Sequence, residues 1–86
     1  MSEESSLIYN KALDILSRRE HSAKELIFKL EKKFDSTEEI FLTVSKLKKN
    51  NLLNDFRYAE AYVVARKRKG FGPKKIEFEL LSKGID

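Results

Sequence analysis

The chain has 86 residues, 41% of them apolar and 37% charged, with a formal net charge of +4. That is too apolar for a disordered chain and too charged for a membrane span. The absence of cysteine excludes disulfide staples and thiolate metal sites, and the length suits one small domain that buries roughly 60–65% of its unfolded surface.

In chain order, Met1 to Ser5 is polar and acidic and lacks the basic start and apolar run of a secretory signal. A disordered tail over residues 1–5 and a cytoplasmic protein are expected. Helical spacing then recurs throughout, and no period-two run is long enough for a strand. The first helix is expected from about Leu7 to Ser17, with Tyr9, Ala12, Leu13 and Leu16 on its inner stripe. Ser22 and Glu25 form a capping box that opens a second helix, with Ala23, Leu26, Ile27, Leu30 and Phe34 inward. Ser36 and Glu39 predict another box before a third helix, Glu38 to Lys49, whose Ile40, Val44 and Leu47 share a face. Asn50 and Asn51 turn the chain, and Leu52 and Leu53 are expected to plug the joint.

Asn54 or Asp55 should cap the fourth helix. Phe56, Ala59, Tyr62 and Val63 lie on one side of it, and Tyr58, Ala61 and Ala65 on the next. A helix apolar over so much of its girth is expected between two neighbours. Gly70 ends it as a left-handed cap, and Gly72 with Pro73 at N1 starts a fifth helix. That helix has Ile76 and Leu80 inward and is closed by Gly84.

Two of these stretches repeat each other about 50 residues apart. Tyr9, Ala12 and Leu16 align with Tyr58, Ala61 and Ala65; Ser22, Leu26, Phe28, Leu30 and Lys33 align with Gly72, Ile76, Phe78, Leu80 and Lys83. The expected fold class is therefore all-α: tandem three-helix repeats, one complete over residues 6–53 and one truncated to two helices over 54–86, five helices in all. A repeat cut short leaves part of its stacking surface open, so function should reside on a surface, with self-association through the open repeat end as one consequence.

Arg66-Lys67-Arg68-Lys69-Gly70-Phe71-Gly72-Pro73-Lys74-Lys75 holds six cations and no acid. Successive helical side chains fan outward, so this turn predicts a patch for phosphates or carboxylates. Cations in a last turn also complement the helix dipole, and Arg66 lies on the Phe56–Val63 stripe, where a paired or snorkelling role competes with a ligand role. Phe71 either stacks on a base or, the favoured reading, folds back on its helix after the glycine cap. The Gly70–Gly72–Lys74 pattern lacks the strand and spacing of a phosphate loop. His21, alone and beside the Ser22 cap, suggests a local role and no metal site. Glu38 and Glu39 are first-turn acids, and neither Ser17 nor Ser22 has a base and orienter. No catalytic residue, cofactor or metal is predicted.

Ser17-Arg18-Arg19-Glu20-His21-Ser22 followed by Glu25-Leu26 resembles the first-repeat signature of the RecX family of recombinase regulators. Leu52-Leu53-Asn54-Asp55, Arg57 to Tyr62, Arg66, Lys69 to Ile76, Glu79-Leu80 and Lys83-Gly84-Ile85 resemble the second. The likeness runs from Ala12 onward in order and spacing. It implies curved tandem three-helix repeats that lie in the groove of the RecA filament on single-stranded DNA and lower strand exchange, ATP hydrolysis and co-protease activity. From the residues and composition, no enzyme activity and no membrane partner are expected. By that resemblance and by charge, Arg18, Arg19, Arg57, Arg66, Lys67, Arg68, Lys69, Lys74 and Lys75 are the candidates for contact with recombinase or DNA phosphates. The rival readings are a helix-turn-helix duplex-DNA binder built on the third and fourth helices, and a protein-interaction repeat without nucleic acid.

Overall fold

The structure is a computed structural model and describes residues 3–86. It holds five helices and, among the described residues, no strand: α1 (Glu3–Arg18), α2 (Ala23–Glu31), α3 (Thr37–Lys49), α4 (Asp55–Arg68) and α5 (Pro73–Ser82). The all-helical expectation is met, with one correction at the start. Glu3 to Ser5, expected in the tail, form the first turn of α1, where Glu3 and Glu4 face the positive end of the helix dipole. Met1 and Ser2 of that expected tail lie outside the described residues.

One apolar core occupies the first three helices. Ile8, Ala12 and Ile15 of α1 meet Ala23, Leu26 and Leu30 of α2 and Ile40, Val44 and Leu47 of α3, with Leu53 closing the end. The α1 stripe is rotated by one residue from the expected line. Ile8 and Ile15 sit at the centre, while Tyr9, Leu13 and Leu16 flank them half-buried. The small Ala12 lets the helices approach between those two branched side chains, so the centre of the stripe runs through Ile8 and Ile15. The joint is likewise plugged by Leu53 alone; Leu52 stands 43% exposed.

Caps account for the helix starts. Ser22 Oγ accepts from the Glu25 amide at 3.1 Å and the Ser22 amide donates to Glu25 Oε1 at 3.2 Å, completing the capping box. The box expected at α3 is half made. Ser36 Oγ accepts from the Glu39 amide, but the Glu39 carboxylate accepts from the Ser5 hydroxyl of α1. Asn54 is the cap of α4, accepting from the Arg57 amide at 2.9 Å. That frees the Asp55 carboxylate to accept from the Ala23 amide of α2 at 2.8 Å.

The second hairpin is built differently. α4 packs chiefly on α5, while α3 lies over α1 and α2. α4 still sits at the junction, touching the first unit through Asp55 and Arg57 and α5 through Arg66, but the expectation that its wide apolar surface is covered is corrected. Of its residues only Tyr58 is buried, and Phe56 and Val64 stand open. Among the described residues no third helix covers the α4–α5 hairpin as α3 covers the first. The molecule is accordingly elongated, 45 × 19 × 19 Å with a radius of gyration of 14.0 Å, against about 12 Å for a compact chain of this length.

The two hairpins share one frame. α1 and α4 end at Arg18 and Arg68, and α2 and α5 begin at Ala23 and Pro73, so a constant offset places Ser22 on Gly72 and His21 on Phe71. In the first joint His21 is 1% exposed. Its Nδ1 donates to the Arg19 carbonyl at 3.0 Å, and its Nε2 accepts from Lys29 Nζ at 2.8 Å. In the second, Gly70 takes φ +87°, the Phe71 amide donates back to the Arg66 carbonyl, and the ring packs against Arg66.

This geometry disfavours the charged form of His21. Burial, with the charges of Arg19 and Lys29 adding, lowers its pKa below 6.5 against the smaller opposing pull of the Arg19 carbonyl. The unfolded chain binds a proton near pH 6.5 that the folded chain takes up only at lower pH. The stability conferred is therefore full above pH 6.5 and declines as pH falls toward the folded pKa, by at most about 1.4 kcal/mol per unit. Thermal unfolding at pH 7.5 and 5.5 should show a drop in Tm for the natural chain. In His21→Phe, which copies the second joint, that drop should be much smaller; an equal drop in both would refute the assignment.

Candidate functional site

The expected cations separate into two groups according to what they touch. Arg18 reaches Asp14 at 3.5 Å across one helical turn and remains largely exposed. Arg19 donates to the Glu20 carbonyl at 2.8 Å and to both carboxylate oxygens of Glu25 at 3.3 Å. Arg57 pairs with Glu20 through Nε and donates to the carbonyls of Asn51 and Leu52 at 3.1 and 3.4 Å. It thereby ties the α3–α4 turn to the α1–α2 joint. Arg66 grips Glu79 with both arms, Nε to Oε1 at 3.0 Å and Nη2 to Oε2 at 2.8 Å. Its guanidinium lies 3.8 Å from the Phe71 ring centre and 5.9 Å from that of Tyr62.

That arrangement decides two readings. Phe71 is folded back beneath Arg66, as favoured from sequence, and Arg66 has the paired role. The hydrogen bonds from Arg66 pull the Glu79 carboxyl below the usual range. Lys67, Arg68, Lys69 and Lys74 are exposed and make no ion pair among the described residues. Lys75 hovers 5.0 Å from the Phe71 ring. These five cations flank the turn from α4 to α5, with Gly72 as the N-cap of α5 and Pro73 in its first turn. The glycines are caps, and they lend Lys69 and Lys74 to one rim.

Between the two hairpins runs a cleft of about 360 Å³, lined by Arg19, Glu20 and Glu25 on one side and by Tyr58, Tyr62 and Lys83 on the other. Lys83 reaches Glu25 at 3.7 Å. Burial tends to raise the Glu25 carboxyl, but the hydrogen bonds from Arg19 and the Ser22 amide and the charges of Arg19 and Lys83 outweigh it and leave it low. Burial, with Glu25 adding, pushes Tyr58 up to about 12. Such a tyrosine donates and does not ionise near neutrality. The cleft is a seam of satisfied pairs, with no buried side-chain donor or acceptor left unpartnered among the described residues.

The charge run in sequence misses a further group of cations. Lys11, Lys29, Lys32 and Lys33 join Arg18 and Arg19 around a groove on the first hairpin. The i, i+3, i+4 spacing of Lys29, Lys32 and Lys33 is the signal that gathers them. Among the described residues no group of three or more His, Asp or Glu is placed to hold a metal ion, and no helix is long and apolar enough to cross a membrane.

Comparison with known proteins matches both halves. A model of the RecX first three-helix domain matches residues 9–47, and one of the RecX second three-helix domain matches residues 54–86. A protein named Regulatory protein RecX from Legionella pneumophila (strain Corby) is 40% identical over 78 residues, which is 91% of this chain and 52% of the relative. Its namesake from Ectopseudomonas mendocina (strain ymp) is 40% identical over 74 residues, 86% of this chain and 49% of the relative. The namesake from Pseudomonas syringae pv. tomato is 38% identical over 78 residues, 91% of this chain and 50% of the relative. The chain spans about half the length of these relatives. With both domain models matched in order on the two halves of a five-helix chain, the protein belongs to the RecX family of regulatory proteins.

Proposed function

We propose that this chain binds the RecA recombinase and its filament on single-stranded DNA and lowers recombinase, ATPase and co-protease activity, without catalysing a reaction itself. The observation that carries the reading is the ordered match of both RecX domain models to the two helical units. An elongated body 45 Å in length supports it, because a regulator lying along a filament needs reach rather than a pocket. The exposed rim of Lys67, Arg68, Lys69, Lys74 and Lys75 is proposed as the main contact with protein acids or DNA phosphates. Arg57 and Arg66 are proposed to serve chiefly inside the fold, and Arg18 and Arg19, at the α1–α2 joint, as secondary contacts.

The helix-turn-helix reading is disfavoured because α3 packs on α1 and α2 while the main partner of α4 is α5, and Arg57, near the start of α4, is held by Glu20. The test is the DNA-stimulated ATPase of RecA titrated with the chain. Dose-dependent inhibition is expected, at higher concentration than for a full-length relative, since avidity grows with the number of protomers touched at once. Lys74→Glu with Lys75→Glu should weaken inhibition at least tenfold with far-UV helicity unchanged. No inhibition at any concentration, or tight binding to one duplex sequence, defeats the proposal.

A further inference from the structure

The groove on the first hairpin has a volume of about 540 Å³ and lies on α1, α2 and the turn that follows α2. Its one acid, Asp14, is already shared by Lys11 at 3.9 Å and Arg18 at 3.5 Å. Arg19 is neutralised by Glu25. Lys29, Lys32 and Lys33 make no ion pair among the described residues. Positive charge is thus left in excess at one place, in a concave wall that strengthens its field.

Lys29 is also aimed. Its ammonium donates at 2.8 Å to Nε2 of the buried His21, whose other nitrogen is fixed by the Arg19 carbonyl. One of its hydrogen bonds anchors it and the others remain for a ligand. Lys32 sits 4.5 Å from the Phe28 ring centre, which restrains it without discharging it.

We infer that this groove is a second phosphate-binding site, separate from the α4–α5 rim, that holds the backbone of single-stranded nucleic acid. Lysine ammonium groups are point charges suited to phosphates of variable geometry, whereas fork-shaped recognition of carboxylates favours arginine. Ile15 is the sole apolar lining residue, and the one ring in the lining, the His21 imidazole, is buried with both nitrogens engaged, so the groove itself offers bases no open face to stack on. Binding there follows the backbone and ignores sequence. This deepens the reading above and rests on it for the biological partner alone, because oligonucleotide binding is measured without recombinase; either can fail while the other stands.

The experiment titrates the full chain with fluorescent oligo-dT and oligo-dA between 50 and 200 mM salt. Lys29→Gln/Lys32→Gln/Lys33→Gln should lower the slope of log affinity against log salt by about 2, at roughly 0.7 per lost phosphate contact. Affinity at 50 mM salt should fall about tenfold or more, equally for both oligonucleotides. Lys32→Gln/Lys33→Gln leaves the Lys29–His21 contact intact and should give about two-thirds of the slope change, with unaltered helicity. An unchanged slope in the folded double variant overturns the inference. So does a loss confined to one base type, or a loss of poly-glutamate binding with oligonucleotide binding intact, which would make the groove a face for acidic protein.

Discussion

Replacing Leu26 with alanine is expected to cost about 2–5 kcal/mol, a large share of the roughly 5–15 kcal/mol that stabilises an ordinary domain. Leu26 has no exposed surface and belongs to the cluster that joins α1, α2 and α3. Removing its isobutyl group forfeits the burial of those carbons and leaves a void that three rigid helices close only in part. Leu52→Ala, one joint away and 43% exposed, should stay within about 0.5 kcal/mol. Urea unfolding followed by far-UV circular dichroism separates the two through their midpoints at equal slope. A Leu52→Ala loss as large as that of Leu26→Ala would mean that the core has been wrongly located.

The second large effect is expected in the other hairpin. Tyr58 and Ile76 are the only buried residues of α4 and α5, so the clasp of Arg66 on Glu79 over Phe71 carries an unusual share of their cohesion. Arg66→Ala removes two charge-assisted hydrogen bonds between side chains each 22% exposed and the stacking on Phe71. Solvent discounts the pair, and a lower urea midpoint is expected for Arg66→Ala, with the stacking on Phe71 lost as well. Arg66→Lys should not restore it, because an ammonium cannot make the two-pronged contact. The loss should be local. Amide exchange in α5 should accelerate strongly while α2 amides keep their protection, and Glu79→Ala should add little to Arg66→Ala. Uniform acceleration across both hairpins would contradict the clasp.

The elements that could be read from sequence are those whose cause lies within four residues. Ser22 with Glu25, Pro73 after Gly72, and the glycines at 70 and 84 each answer a local need, and their helices start and stop as expected. What escaped depends on a partner elsewhere in the chain. Glu39 abandons its own cap because Ser5 from another helix reaches it. Leu52 and Leu53 are indistinguishable until α3 is placed, and the apolar girth of α4 says nothing of whether a neighbour is there to cover it. The repeat alignment slipped by one residue along α1 and α4 because it matched like residues, Tyr9 with Tyr58; helix ends and caps put Ile8 there instead. At the site, the consecutive cations at the α4–α5 turn were visible as a run. Those of the first hairpin were not, since a groove collects residues from two helices and a turn. Nor could composition show that Arg57 and Arg66 are spent on Glu20 and Glu79.

The reach of Asp55 back to the Ala23 amide has a consequence for how the molecule melts. The amide it satisfies belongs to the first unit, and the carboxylate to the second, so neither keeps that hydrogen bond if the other frays. In the language of one-dimensional Ising chains it is part of the nearest-neighbour coupling between the two units. The weaker hairpin therefore borrows persistence from the stronger one, and cutting this tether, which acts beside Arg57–Glu20 and Lys83–Glu25, would loosen the joint melting of the two units.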